Sequence, residues 1–309
     1  MGLYVHAAFI GFRTPHGAAK KDRRIAVKRI NALLLMVLVV ATGLFAGYHL
    51  WVHNRLDTVG PVISVEEGML EISVGDPEDA LLKGIRAMDD RDGDVTPSIL
   101  VESVYGITAD NMATVTYVAF DRAGNVSKIQ RQVRYKDYEP PKFALKGSLT
   151  FTYGSGFDLM DYLSAKDVIE GDIGRRVHAT LISDTKSIEY EGRHLVKLQV
   201  TNNLGDTVEI VLPVEVFDAE WYTADVVLKS YMVYLERGDS FQPKSYLRQF
   251  VFRGEPIQAE QFDAQGVEVE ISNGVDTTVP GVYEVTYILS KSLNLNTYSG
   301  IARLIVVVE

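Results

Sequence analysis

The chain of 309 residues contains no cysteine. No disulfide holds it together, and thiolate nucleophiles and thiolate metal centres are excluded. Histidine is almost as scarce: beyond residue 52 only His53, His178 and His194 occur, and no two of them have a metal-ligand spacing. The G-x-S-x-G nucleophile elbow is absent. Gly154-Ser155-Gly156 follows no strand-to-helix pattern and makes no phosphate loop. A cryptic hydrolase with a serine triad assembled in space stays open as a weak alternative, because triads are defined by geometry. Basic surplus is missing from everything after residue 30, which argues against nucleic acid.

Long uncharged runs are also missing, with one exception. Asn31–Val52 reads NALLLMVLVVATGLFAGYHLWV, with no charged side chain. About 20 helical residues span a hydrocarbon core of roughly 30 Å, so this stretch is long enough to cross. In lipid it must be helical to satisfy its own backbone. Residues 1–30 carry seven basic side chains against Asp22, a net +6; the other 24 basic and 40 acidic residues give −16. Basic flanks stay cytoplasmic, so the expected topology is N-terminus inside and residues from about 54 outside. Tyr48 and Trp51 fit an interfacial aromatic belt. A cleavable signal peptide is the alternative, with Ala41-Thr42-Gly43 as a small-x-small site. The apolar run continues past that site through Leu44, Phe45 and Leu50, which favours a retained anchor over 31–53. His49 and His53 lie four apart, but nothing nearby completes a metal set.

Three segments of the remainder align with one another. They are VGDPEDALLKGIRAMDDRDGD (74–94), YGSGFDLMDYLSAKDVIEGD (153–172) and RGDSFQPKSYLRQFVFRGEP (237–256). Each opens at a glycine turn and reaches a second turn at Gly93, Gly171 or Gly254. Alternating apolar strands follow, over 113–135, 194–217 and 281–309. Turn-rich links such as Asp121–Asn125 and Asn202–Asp206 read as hairpins. A period of roughly 80 residues suits a domain rather than a solenoid repeat. The expectation is all-β: three tandem Ig-like antiparallel β-sandwiches after one N-terminal transmembrane helix, at 60–137, 138–218 and 219–309, with a basic leader at 1–30. Glu139-Pro140-Pro141 stiffens the first link, and short links predict a semi-extended rod.

DDRDGDVTPSI, then TVTYVAFDRAGNVSKIQRQVRYKD, then EPP, resembles the Ig-like domain repeated in a pesticidal crystal protein and in many Gram-positive surface proteins. Copy one carries the resemblance at Asp89, Asp92, Gly93, Asp94, Val95, Thr96, Asp121, Gly124, Asn125 and Arg131. Copy three matches at Gly238, Phe241, Pro280, Gly281, Tyr283, Val285 and Tyr287, with Ser290-Lys291-Ser292 in place of the D-x-x-GN turn. Copy two keeps Glu170-Gly171-Asp172 and Asn202–Gly205. The resemblance implies an Ig-like fold at a bacterial cell surface and no chemistry, since such modules serve as spacer, stalk and adhesion unit.

Three candidate sites arise. Asp89, Asp90, Asp92 and Asp94 offer carboxylate oxygens for calcium, with Asp121 and Asn125 as further ligands. An EF-hand register fails, because Gly93 as the loop glycine puts Met88 first and Ile99 twelfth. Plain turn formation accounts for the same residues. Trp221, Tyr222, Tyr246 and Tyr298 head an aromatic-rich copy three that can stack on sugars or line a partner surface. Arg237-Gly238-Asp239 spells an integrin tripeptide at the glycine turn common to all copies, where a turn needs Gly and Asp without a receptor. The functional expectation is non-catalytic: adhesion, binding or spacing at the cell surface. The alternative is a carbohydrate- or wall-binding module, with a surface glycan, cell wall or protein as ligand.

Overall fold

The computed structural model describes residues 16–182 and 187–309. Residues 1–15 of the basic leader and the His53 side chain, half of the histidine pair, lie outside the described residues. Helix α1 runs His16–Arg55, well beyond the apolar stretch at its N-terminal end. Within it Ala26–Val52 is long and apolar enough to cross a membrane, and none of its most apolar window is buried in the rest of the chain. Tyr48 and Trp51 stack near its end, with centroids 6.4 Å apart.

Among the described residues, the chain after the helix forms three β-sandwiches of one plan. Copy one holds β1 (Val62–Val65), β2 (Leu70–Ile72), β3 (Ile85–Asp89), β4 (Gly93–Asp94), β5 (Leu100–Tyr105), β6 (Met112–Phe120) and β7 (Val126–Tyr135). Copy two holds β8 (Lys142–Leu145), β9 (Thr150–Thr152), β10 (Leu163–Asp167), β11 (Gly171–Asp172), β12 (His178–Leu181), β13 (Gly192–Thr201) and β14 (Thr207–Phe217). Copy three holds β15 (Asp225–Leu228), β16 (Met232–Leu235), β17 (Leu247–Phe252), β18 (Glu255–Gln258), β19 (Val267–Asn273), β20 (Gly281–Leu293) and β21 (Asn296–Val308). In each copy the first, third and fourth strands make one sheet; the second, seventh, sixth and fifth make the other. The second strand pairs parallel to the last, as in β2 with β7, β9 with β14 and β16 with β21.

Period-two patterning explains which residues face inward. Ala113, Val115, Tyr117 and Ala119 alternate into the copy-one core from β6, and Val196, Leu198 and Val200 do so from β13. Gly93 and Gly171 occupy the same turn with φ near +76°, where a side chain is strained. Two buried tyrosines brace their copies. Tyr117 donates to the Leu81 carbonyl (2.8 Å) and Tyr287 to that of Pro243 (2.9 Å). Burial pushes both hydroxyls up.

The cores do not stop at the copy limits. Leu204, at the tip of the β13–β14 hairpin, is buried in the copy-one core beside Tyr138. The Gly106 and Ile107 amides donate to its carbonyl. Met232 and Ile305 of copy three are buried in the copy-two core. Burying one such side chain contributes about 1.5–3 kcal/mol. Copies two and three also meet along a seam of side chains. Arg303 on β21 pairs with Glu215 on β14 and with Glu284 on β20, and Arg193 on β13 reaches Glu284 at 3.1 Å. The Phe143 amide donates to the Tyr234 hydroxyl at 2.9 Å. Short links alone predict a rod; this seam adds a lateral contact that the links do not require.

Candidate functional site

The four aspartates of copy one do not act as one cluster. Asp89 ends β3 and is 7% exposed. Its Oδ1 accepts the backbone N–H groups of Arg91 (2.9 Å) and Asp92 (2.8 Å), so the turn itself uses one oxygen. Asp92 leaves the group: its Oδ2 accepts the Arg122 amide at 2.7 Å. Asp94 leaves it too, accepting the Thr96 amide at 2.9 Å. The Thr96 hydroxyl and then its amide hold the Asp94 carboxyl below the usual range. Asp121 accepts the Asn125 amide and side chain at 2.8 and 2.7 Å, closing the β6–β7 turn.

What remains is Asp89 with Asp90, joined by a residue that sequence reasoning missed. Asp57 lies on the link between α1 and β1, and one oxygen from each of Asp57, Asp89 and Asp90 lies within 4.8 Å of the other two. Its only signal in the sequence was an acidic residue after the apolar run, too common to single out. Arg91 is part of the same group, its Nε 3.7 Å from the Asp57 carboxylate.

The copy-three aromatics do not converge on one surface. Trp221 is 66% exposed on the link between copies two and three, its carbonyl accepting from Ser299. Tyr222 packs edge-on against Phe217 and lines a cavity of about 350 Å³ between those copies, with Ser148, Thr150, Tyr162 and Tyr231. Tyr246 lies against Phe241 and the copy-three core. Tyr298 packs edge-on against Phe252, with Arg253 over its ring. Arg237-Gly238-Asp239 is consumed by its turn: Arg237 donates to the Thr278 carbonyl, and Asp239 accepts the Glu236 amide. His178 pairs in register with Gln199, five residues along β13 from the buried His194, about 17 Å at strand spacing. The two histidines therefore do not meet.

No family model matches the chain. No curated protein matches it either. Among solved structures it is similar to the protocadherin gammaB4 extracellular domain, at 12% identity over 81% of this chain and 49% of that one, TM-score 0.19. It is similar to Drosophila N-cadherin EC1-4 at 12% identity over 82% of this chain and 76% of that one, TM-score 0.20. It is similar to the CBM51-2 and INT domains of Clostridium perfringens ZmpB at 15% identity over 81% of this chain and 42% of that one, TM-score 0.20. The chain thus spans about half the length of the protocadherin domain. At such TM-scores these likenesses carry no functional weight. The repeated Ig-like sandwich is defined here by strand order.

Proposed function

We propose that this is a membrane-anchored, non-catalytic protein of a bacterial cell surface, whose three Ig-like sandwiches present or space a binding surface outside the membrane. The observation that carries the reading is the way each core takes in side chains of the next copy. Leu204 and Tyr138 fill the first joint; Met232 and Ile305 fill the second, where Arg303 also pairs with Glu215 of copy two. An array held by packed joints transmits position, which suits a stalk or an adhesion module. The apolar helix Ala26–Val52 supplies the anchor, and the charge asymmetry supports a cytoplasmic N-terminus. Kinship with the pesticidal-crystal-protein Ig-like family belongs to this proposal, on the residues of copy one quoted above. A second reading is a carbohydrate- or wall-binding module, favoured by the exposed Trp221, next in sequence to Tyr222, which lines the cavity between copies two and three.

The cysteine-free chain makes topology testable with single introduced thiols. Ser103→Cys on β5 should react with a membrane-impermeant maleimide on intact cells, and Ala18→Cys only after permeabilisation. The opposite pattern overturns the topology. Binding is tested with the full chain in nanodiscs on a glycan array and on cell-wall sacculi. Saturable binding lost in Trp221→Ala supports the carbohydrate reading; silence on every surface removes it and leaves the spacer.

A further inference from the structure

Copies one and two share one turn geometry, so copy two serves as an internal control for copy one. Asp89 Oδ1 accepts two backbone amides at the end of β3; Asp167 Oδ1 accepts those of Ile169 and Glu170 at the end of β10, both at 2.9 Å. Asp92 accepts the Arg122 amide of the next hairpin; Glu170 accepts that of Asn203 at 2.6 Å. The hairpin turns match as well: the Asn125 amide donates to Asp121 Oδ1 and the Asp206 amide to Asn202 Oδ1.

The copies part at the second oxygen of the aspartate. In copy two the Asn202 side-chain amide donates to Asp167 Oδ2 at 2.8 Å. The same amide donates to the Tyr138 hydroxyl, which donates to Asp206 at 2.6 Å. In copy one the residue in the place of Asn202 is Asp121, a carboxylate with no amide to offer. Asp89 is more than nine-tenths buried, and its Oδ2 finds no donor among the described residues. The flanking residues change in the same sense: Val168 and Ile169 of copy two stand where copy one has Asp90 and Arg91. The link then brings in a third carboxylate, Asp57.

A buried carboxylate oxygen without a donor is costly, and like charges this close repel. A hard cation relieves both. Two oxygens on opposite sides of a calcium ion, each about 2.4 Å from it, lie about 4.8 Å apart, so three oxygens that all lie within 4.8 Å of one another are close enough to share one ion. We propose that Asp57, Asp89 and Asp90 form a calcium site that clamps the segment leaving the membrane helix onto copy one. Asp89 contributes Oδ2, its other oxygen being fixed by the turn. Waters complete the shell, as is usual when a site supplies few protein ligands. Arg91, paired with Asp57 in the absence of metal, swings aside. The joint that copy two seals with Leu204 and Tyr138 is thus sealed in copy one by an ion. Its role in orienting the sandwiches at the membrane rests on the anchored reading; ion binding itself does not.

The test is calorimetric titration of the full chain in nanodiscs with calcium chloride. The expected result is one saturable ion with Kd on the order of 10⁻⁴–10⁻³ M, the range of extracellular modules. Binding weakens at least tenfold in Asp57→Asn and in Asp89→Asn, and is unchanged in the control Asp239→Asn. Asp57 lies on the link outside the core, so its variant keeps the test sound if Asp89→Asn fails to fold. No saturable binding up to about 10 mM, or binding indifferent to both variants, overturns the proposal. Tighter binding of magnesium than of calcium overturns the choice of ion, because magnesium demands stricter octahedral geometry.

Discussion

The Asn202 side-chain amide donates to the Asp167 carboxylate over 2.8 Å, inside the joint between copies one and two. That single bond separates two copies otherwise alike in strand order and turn bonding. It lets a buried aspartate sit in a joint without a counter-ion. Where copy one puts Asp121, the equivalent aspartate keeps one oxygen without a donor among the described residues. Asp121 in the place of Asn202 removes the donor, and Asp90 in the place of Val168 with Asp57 from the link makes the joint acidic.

Asn202→Asp should impose the copy-one condition on copy two. Asp167 Oδ2 loses its donor and gains a like charge. Removing one partner of a buried polar pair costs about 1–3 kcal/mol. The urea midpoint should fall accordingly, and an unchanged midpoint would show that the amide is dispensable.

Leu204→Ala tests the hydrophobic half of the same joint. The side chain is buried in the core of a different copy from the one that carries it. A loss of about 2 kcal/mol or more is expected for such a truncation. Unfolding of copies one and two should also separate into two steps, read by calorimetry. A single undisturbed transition would argue that the wedge transmits nothing.

Arg303→Met should loosen the seam between copies two and three. Arg303 is 13% exposed and lies between Glu215 and Glu284. Removing it leaves two carboxylates without their shared cation, a loss of about 3 kcal/mol for a largely buried pair. Hydrogen exchange should rise in β14 and β21 while β6 and β7 stay protected.

Stability should fall in alkali. Burial pushes the Tyr234 hydroxyl up to about 12, with Glu309 adding to the shift. Burial, and then Asp206, push Tyr138 up as well. An unfolded tyrosine titrates near pH 10. The folded chain therefore holds these protons more tightly, so their contribution is intact below about pH 10 and is lost as pH rises through about 12. The melting temperature should drop across that window, and Tyr234→Phe should flatten the drop.

Much of this was legible in the sequence. Alternation in 113–135, 194–217 and 281–309 specified the longest strand pairs, because a half-buried sheet leaves a period-two record. The glycines at 93 and 171 marked turns that only positive φ permits. The joints were not legible. Leu204 reads as a hairpin residue, and nothing local says that its side chain enters another core. Arg303 reads as a polar residue on a strand, and its partners lie 19 and 88 positions away. The acidic cluster misled in the same way: neighbours in sequence, Asp92 and Asp94 turn to backbone amides, while Asp57 arrives from 32 residues upstream of Asp89.

The packed joints at Leu204 and at Met232 and Ile305 should fix the three copies into one body. Because the chain has no cysteine, spin labels at Ser103→Cys in copy one and Ser292→Cys in copy three report one distance without background. Double electron–electron resonance on the full chain in nanodiscs should give a single narrow distribution that broadens in Leu204→Ala. A broad distribution in the parent chain would contradict the account and make the copies independently hinged.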